Sequence, residues 1–308
     1  WFNLNKGVLG QIFEIVIYTV FPFIIFGALL EATGVGESLI RAAFAATRRT
    51  RGGPAHAAVL ASSLFGTMSG VPVANVVGTG VLTIPLIKRR GFSPTFAGGV
   101  EATASTGGQI VPPIMGSAAL VMADQLQMSY LVIITAALIP AGLYYLSLFF
   151  TVTFEARRME ISVDESEIDR LRITRGDITN LVILAGAIAV IISTLLYGLS
   201  ASAAGVFAVF YMVPTCFMSP IIRQQPTRVL LGLAKGGTQF ARLAIAIGVV
   251  GIVLAALSST GLPIRIAGAI DMVMGQSLLL ALMVTGVAAI IFGMGMPTLP
   301  AYLTIILI

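Results

Sequence analysis

The chain is a succession of long apolar runs, and its most informative positions are those where a run is broken from within. Residues 11–30 predict a first spanning helix, kinked at Pro22 and ended by Glu31-Ala32-Thr33-Gly34. Residues 36–47 predict a shorter helix leading to Arg48-Arg49-Thr50-Arg51. Residues 55–87 are long enough to span, but Gly66-Thr67-Met68-Ser69-Gly70-Val71-Pro72 interrupts them. The break predicts two half-helices of about 10–15 residues, each too short to cross a bilayer, folded as a re-entrant hairpin. Residues 94–125 likewise read as two short helices around Ser105-Thr106-Gly107-Gly108-Gln109 and Pro112-Pro113. Residues 128–154 predict a full span ending at Glu155-Ala156-Arg157-Arg158. The long polar segment 155–177 predicts a cytoplasmic linker, with an amphipathic helix, between a first repeat over 1–154 and a second, C-terminally incomplete repeat over 178–308. Within the second, 178–198, 203–222 and 239–260 predict spans, and 226–237 predicts an interfacial helix. The stretch 277–308 is apolar but broken at Gly293-Met294-Gly295-Met296-Pro297-Thr298.

Composition fixes the class. The chain is 57% hydrophobic and 10% charged, where soluble domains carry about 25% charged residues. With a mean hydropathy of +0.99, it is expected to be an all-α polytopic membrane protein. A β-barrel needs alternating strands, and LVILAGAIAVIISTLL at 181–196 has no alternation. The net charge of +5 comes from basic clusters between apolar runs. That is the pattern of cytoplasmic loops, not a basic-aromatic surface for nucleic acid. A lone Cys216 excludes an internal disulfide, and no Cys/His spacing suits a structural metal. The chain opens at Trp1 without a signal-peptide pattern and stops at Ile308 inside an apolar run. It is expected to be cut from a larger protein.

The breaks repeat. An offset of 227 residues lays Thr33-Gly34 on Thr260-Gly261, Phe65-Gly66 on Phe292-Gly293 and Ala74 on Ala301. The first broken segment is flanked by Arg48, Arg49 and Arg51 before it and Lys88, Arg89 and Arg90 after it. The positions equivalent to 48–51 carry no charge. Basic flanks belong in the cytoplasm, so the two hairpins are expected to enter from opposite faces. Inverted repeats with broken helices meeting at mid-membrane are a secondary-transporter architecture.

The stretch GTMSGVPVANVVGTGVLTIPLIKRRGFSPTFAGGVEATASTGGQIVPPIMG at 66–116, with STGLPIRIAG and IFGMGMPTLPAYL later, resembles the large membrane subunit of tripartite ATP-independent periplasmic (TRAP) transporters. It looks closest to the form fused to the small subunit. The resemblance runs over nearly the whole chain. It implies a bacterial inner-membrane, sodium-coupled importer with an elevator-type mechanism. It also implies a small membrane subunit, a periplasmic solute-binding protein that delivers an organic acid, and no cofactor beyond the coupling ion Na+. The small subunit's helices are not present before Trp1, and the end of the second repeat is not present after Ile308.

Sodium takes several oxygen ligands, which unwound backbone supplies without buried charge, while half-helix N-termini suit a carboxylate. Through SGVPVAN and STGGQIVPP the resemblance places one sodium site among Ser69, Gly70, Asn75, Thr106, Gly107 and Pro112. A second is expected at Gly293, Gly295, Met296 and Thr298. The competing reading is that these small residues only allow close packing or a tight turn. Asn75 and Gln109 are polar groups at membrane depth, where unsatisfied atoms are costly. They are candidates for touching substrate, or for satisfying the broken backbone. Glu101, an intramembrane carboxylate, is a third substrate candidate; alternatively it bonds the hairpin or lies near an interface. Glu31, Asp124 and Asp271 fall near helix ends and predict solvated positions, and His56 an interfacial one.

Two other functions compete. A membrane-embedded protease needs a Ser with His or Lys, paired intramembrane Asp, or a zinc motif. With one His and no HExxH, the chain offers none of these sets. A non-transporting scaffold subunit predicts continuous helices through 66–72 and 105–113. No nucleotide-binding loop is present, so ATP hydrolysis would need another subunit.

Overall fold

The computed structural model describes residues 10–161, 173–260, 277–293 and 298–307. Every regular element it describes is helical. Two compact units emerge, one of residues 19–237 and one of residues 1–18 with 238–308. Among the described residues, four helices are long and apolar enough to cross a membrane: Phe13–Ala32, Tyr130–Arg158, Arg175–Leu196 and Ala201–Met218.

The chain enters through α1 (Gln11–Ile15), a π turn (Val16–Val20) and α2 (Phe21–Ala32). The expected irregularity at Pro22 is this widened turn. Proline lacks an N–H and crowds the carbonyl four residues back, and one extra residue in the turn relieves both. After Gly34, in the left-handed conformation at φ 78°, α3 runs Val35–Thr47.

The hairpin is formed by α4 (Gly53–Ser69) and α5 (Pro72–Arg89). Its break is narrower than expected. Helix continues through Gly66 to Ser69, and only Gly70 and Val71 are non-helical. Gly70 closes α4 at φ 59°, its N–H returning to the Gly66 carbonyl at 3.0 Å, which is glycine's usual way of ending a helix. Val71 is extended because Pro72 excludes the helical conformation from the residue before it. Pro72 then opens α5, where a missing N–H costs nothing. At 17 and 18 residues the arms are longer than the half-helices predicted.

The second break follows the sequence closely. Ser93 caps α6 (Pro94–Gly107), accepting from the Phe96 N–H at 3.2 Å. A 3-10 turn (Gly108–Ile110) and an irregular stretch through Gly116 lead to α7 (Ser117–Gln125). Then α8 runs Tyr130–Arg158. The helix α9 (Arg175–Leu196) is opened by a capping box between Thr174 and Asp177. The two helices take up both ends of the polar segment 155–177.

One sequence expectation is shortened and one is corrected. The span 203–222 ends early, as Ala201–Met218: α10 (Ala201–Thr215) runs past Pro214 into a 3-10 turn (Cys216–Met218), and α11 (Pro220–Gln224) starts anew at Pro220. The interfacial segment 226–237 and the span 239–260 are one helix, α12 (Thr227–Thr260). Gly232 and Gly236 do not break it; they let it approach Ala28 and Ile25 of α2. Finally α13 (Leu278–Gly293) and α14 (Thr298–Leu307) pack on each other.

Within the unit 19–237, the base of the hairpin and the end of α8 share one apolar cluster that includes Ala55, Ile87, Phe92, Val152 and Ala156. His56 is enclosed there. Its ring stacks on Phe149 at 3.9 Å, and its nitrogens lie 2.9 Å from Thr50 Oγ1 and 3.1 Å from Thr153 Oγ1. The basic turns 48–51 and 88–90 and the pair Arg157-Arg158 therefore flank the same cluster within this unit.

Candidate functional site

The two breaks of the first half meet. The Gln109 side-chain amide donates to the Gly70 carbonyl at 3.1 Å, and the Gln109 carbonyl accepts from the Gly116 N–H at 2.7 Å. Gln109 thus joins the hairpin tip to the loop after α6. That loop carries Met115 at φ 63°, a conformation that strains a non-glycine residue.

Glycine sets the distance between the breaks. A Cβ on Gly66 would stand 2.5 Å from the Gly108 Cα and 2.9 Å from the Asn75 side-chain nitrogen. Only bare backbone fits there. One residue earlier, Phe65 lies between two other glycines, with Cβ positions at 2.6 Å on Gly36 and 3.0 Å on Gly78. A Cβ on Gly27 would sit 2.4 Å from the Met68 carbonyl oxygen, so α2 also passes against the end of α4.

Asn75 stands at the centre and is fully buried. Its amide donates to the carbonyls of Ser62 at 2.8 Å and Ser105 at 3.4 Å, bridging α5 to both neighbours. The last turn of α6 leaves carbonyls without helical partners, and α8 supplies hydroxyls nearby. Tyr144 donates to the Thr103 carbonyl at 2.9 Å and Tyr145 to the Ala104 carbonyl at 2.6 Å. A Cβ on Gly107 would collide with the Tyr144 ring at 2.3 Å.

The expected site residues divide by location. Gly70, Asn75, Gly107 and Gln109 come together, with Ser69 ending α4 beside them and Pro112 in the adjoining loop. Thr106 faces outward, its hydroxyl bonded to the Ala102 carbonyl at 2.8 Å. Glu101 does not reach the tip. It is fully buried among α4, α5 and α6 and accepts from Ser62 at 2.8 Å, from Ser105 at 3.2 Å, and from Thr79 and Thr83. In the second half, Gly293 ends α13 and Thr298 begins α14; Gly295, Met296 and Asp271 lie outside the described residues. Asp124 borders a separate cavity of about 490 Å³, with Gln127, Tyr130 and Ser200 among its lining. Glu31 pairs with Lys235 at 2.6 Å.

Sequence reasoning missed Gly66 and Gly108 as a contact pair, and Ser62, Thr79 and Thr83 as partners of Glu101. The signal was available. Asn75, Thr79 and Thr83 recur every four residues along an otherwise apolar helix, which places them on one face.

The arrangement brings together the C-terminal ends of α4 and α6 and the N-terminal ends of α5 and α7. Helix C-termini carry partial negative charge and N-termini partial positive charge. The N-termini of α5 and α7 have no side-chain cap, being preceded by Val71 and Gly116. Such a junction can hold a cation and an anion close together. Among the described residues, no cluster of His, Cys, Asp and Glu suits a metal centre.

A family model for the DctM component of tripartite ATP-independent periplasmic transporters matches residues 6–308. The C4-dicarboxylate TRAP transporter large permease protein DctM of Pseudomonas aeruginosa is 33% identical over 135 residues, which is 44% of this chain and 31% of that protein. Its namesake in Vibrio cholerae is 39% identical over 93 residues, 30% of this chain and 20% of that protein. The sialic acid TRAP transporter large permease protein SiaM of Vibrio cholerae is 31% identical over 108 residues, 35% of this chain and 25% of that protein. The matched stretches span less than a third of these relatives' own lengths. The match over almost the whole chain shows the family: the chain belongs to the DctM component family of tripartite ATP-independent periplasmic transporters, whose named relatives are membrane permeases and not enzymes.

Proposed function

We propose that this chain is the membrane permease part of a sodium-coupled importer of small organic acids in a bacterial inner membrane. It works with a small membrane subunit and a periplasmic solute-binding protein that delivers the acid. The observation that carries this reading is the meeting of two helix breaks at Gly70 and Gln109, with Asn75 buried between them. Broken helices in a membrane survive where they line a site, and paired breaks are how such transporters bind ions and solutes. The relatives named for C4-dicarboxylates and for sialic acid both handle carboxylates. An uncapped helix N-terminus suits a carboxylate, and carbonyls at the ends of α4 and α6 suit Na+. The basic turns at the hairpin base favour entry from the cytoplasmic side. The tight α4–α5–α6 packing favours movement of the hairpin as one body, as in an elevator.

The test is uptake by the complete transporter in liposomes, with its binding protein, driven by a sodium gradient. Succinate and N-acetylneuraminate are the first solutes to try. Uptake is expected to require both sodium and the binding protein, and Asn75→Leu is expected to abolish the sodium-dependent part. Uptake that needs neither would overturn the proposal.

A further inference from the structure

Glu101 is buried and meets no cation among the described residues. Its carboxylate is fully enclosed, and its partners are the hydroxyls of Ser62, Thr79, Thr83 and Ser105. Among the described residues, no Lys, Arg or His pairs with it. Four hydroxyls converge on its two oxygens, while those of Thr79 and Thr83 also reach the carbonyls of Asn75 at 2.8 Å and Thr79 at 3.0 Å, and that of Ser62 lies 3.0 Å from that of Thr79. Hydroxyls solvate a charge; they do not cancel it. A carboxylate held this way keeps a net negative field in surroundings that screen poorly.

That field has a direction. Thr79 touches Glu101, and its hydroxyl lies 3.4 Å from the Asn75 side-chain oxygen. At a rise of about 1.5 Å per residue, Thr79 is about 10 Å along α5 from Pro72 at the tip. Of the cations nearest in sequence, Lys88 and Arg89 are exposed, where water and salt weaken their reach, and Arg90 is half-buried at the C-cap of α5, seven residues beyond Thr83 and at the end away from the tip.

We infer that Glu101 is the buried counter-charge of the hairpin-tip cation site: it raises sodium affinity through space, one hydroxyl removed from Asn75, without ligating the ion. It is a positioning residue, and the inference rests on the proposal that sodium binds at the tip. A unit charge about 10 Å away, at an effective dielectric near 20, changes the affinity of a monovalent cation by about tenfold.

Two variants separate charge from geometry. Glu101→Gln keeps the shape and removes the charge. Glu101→Asp keeps the charge but draws it back from the hydroxyls. The readout is the melting temperature of the complete purified transporter, titrated with NaCl at constant ionic strength held by KCl. Glu101→Gln is expected to raise the half-saturating sodium concentration about tenfold, and Glu101→Asp less than about threefold, whatever each does to the sodium-free melting temperature. A purely structural pin gives the reverse order. An unchanged half-saturating concentration in Glu101→Gln, or a larger rise in Glu101→Asp, overturns the inference. If Glu101→Gln does not reach the membrane, Thr83→Glu combined with Glu101→Thr returns the charge from the opposite helix. That pair is expected to titrate within about threefold of the parent, and a tenfold rise overturns the inference. A parent transporter that sodium stabilises no more than potassium removes the tip site itself, and the inference with it. A parent stabilised by sodium while Glu101→Gln titrates identically removes only the inference.

Discussion

Asp177 and Glu101 are both buried carboxylates that tie helices together, and they differ in what faces them. Asp177 takes the Arg41 guanidinium at 2.7 and 2.8 Å, the Ser38 hydroxyl at 2.8 Å and the Thr174 N–H at 2.8 Å. Its charge is matched, and it fixes α3 to the start of α9. Asn180 completes the set by donating to Ser38 at 3.0 Å. Glu101 has hydroxyls only. Around it the helices touch through glycine backbone, as at Gly66 and Gly108. The α3–α9 junction is built as a fixed joint between charged groups. The hairpin is packed as tightly, yet it keeps an unmatched charge behind a junction of helix ends. A joint that only had to hold would have no use for that charge.

The comparison can be broken at three places. The largest effect is expected from Gly66→Ala. Its new methyl group meets the Gly108 backbone at 2.5 Å, and backbone cannot rotate away as a side chain can. Overpacking of this kind costs about 1–3 kcal/mol, and here it separates the two breaks. Sodium-dependent uptake should fall at least tenfold.

Asp177→Ala should act on stability alone. Removing one partner of a buried ion pair costs about 3–5 kcal/mol. Arg41 keeps 28% of its side-chain surface in contact with solvent, so about 2–4 kcal/mol is expected after screening. The melting temperature should drop, while the sodium concentration that half-saturates uptake stays as in the parent. A shift in that concentration would erase the distinction between the two regions.

Gln109→Ala should be the mildest. It removes one hydrogen bond between the breaks, worth about 1 kcal/mol net, and should raise the half-saturating sodium concentration several-fold with the protein still folded. An unchanged value would assign Gln109 to backbone satisfaction alone.

Much of this was legible in the sequence, and the reasons are local. Gly70 before Pro72, and Gly107-Gly108 before Pro112, stop helices by rules that act within a few residues. What lay beyond reach was long-range. Arg41 and Asp177 are 136 residues apart, and neither position advertises the other. Gly66 was placed in the break because glycine usually marks one. The fold instead keeps it helical and uses its missing side chain against Gly108. Glu101 stood out as an intramembrane acid, but its cage draws on three helices. Of these, only the Asn75, Thr79, Thr83 spacing showed in the sequence. The second half offers no such comparison, since Gly295 and Met296 lie outside the described residues.

The most direct measurement places a reporter at the tip. Val71 is 48% exposed there, and Cys216 is the chain's single cysteine. In the complete transporter freed of other cysteines, the maleimide labelling rate of Val71→Cys is compared in NaCl and KCl of equal strength, with Leu138→Cys on the exposed face of α8 as the control. A sodium site at the meeting of the breaks requires sodium to slow labelling at 71 by severalfold and leave 138 unchanged. Equal rates in the two salts at 71 would contradict it.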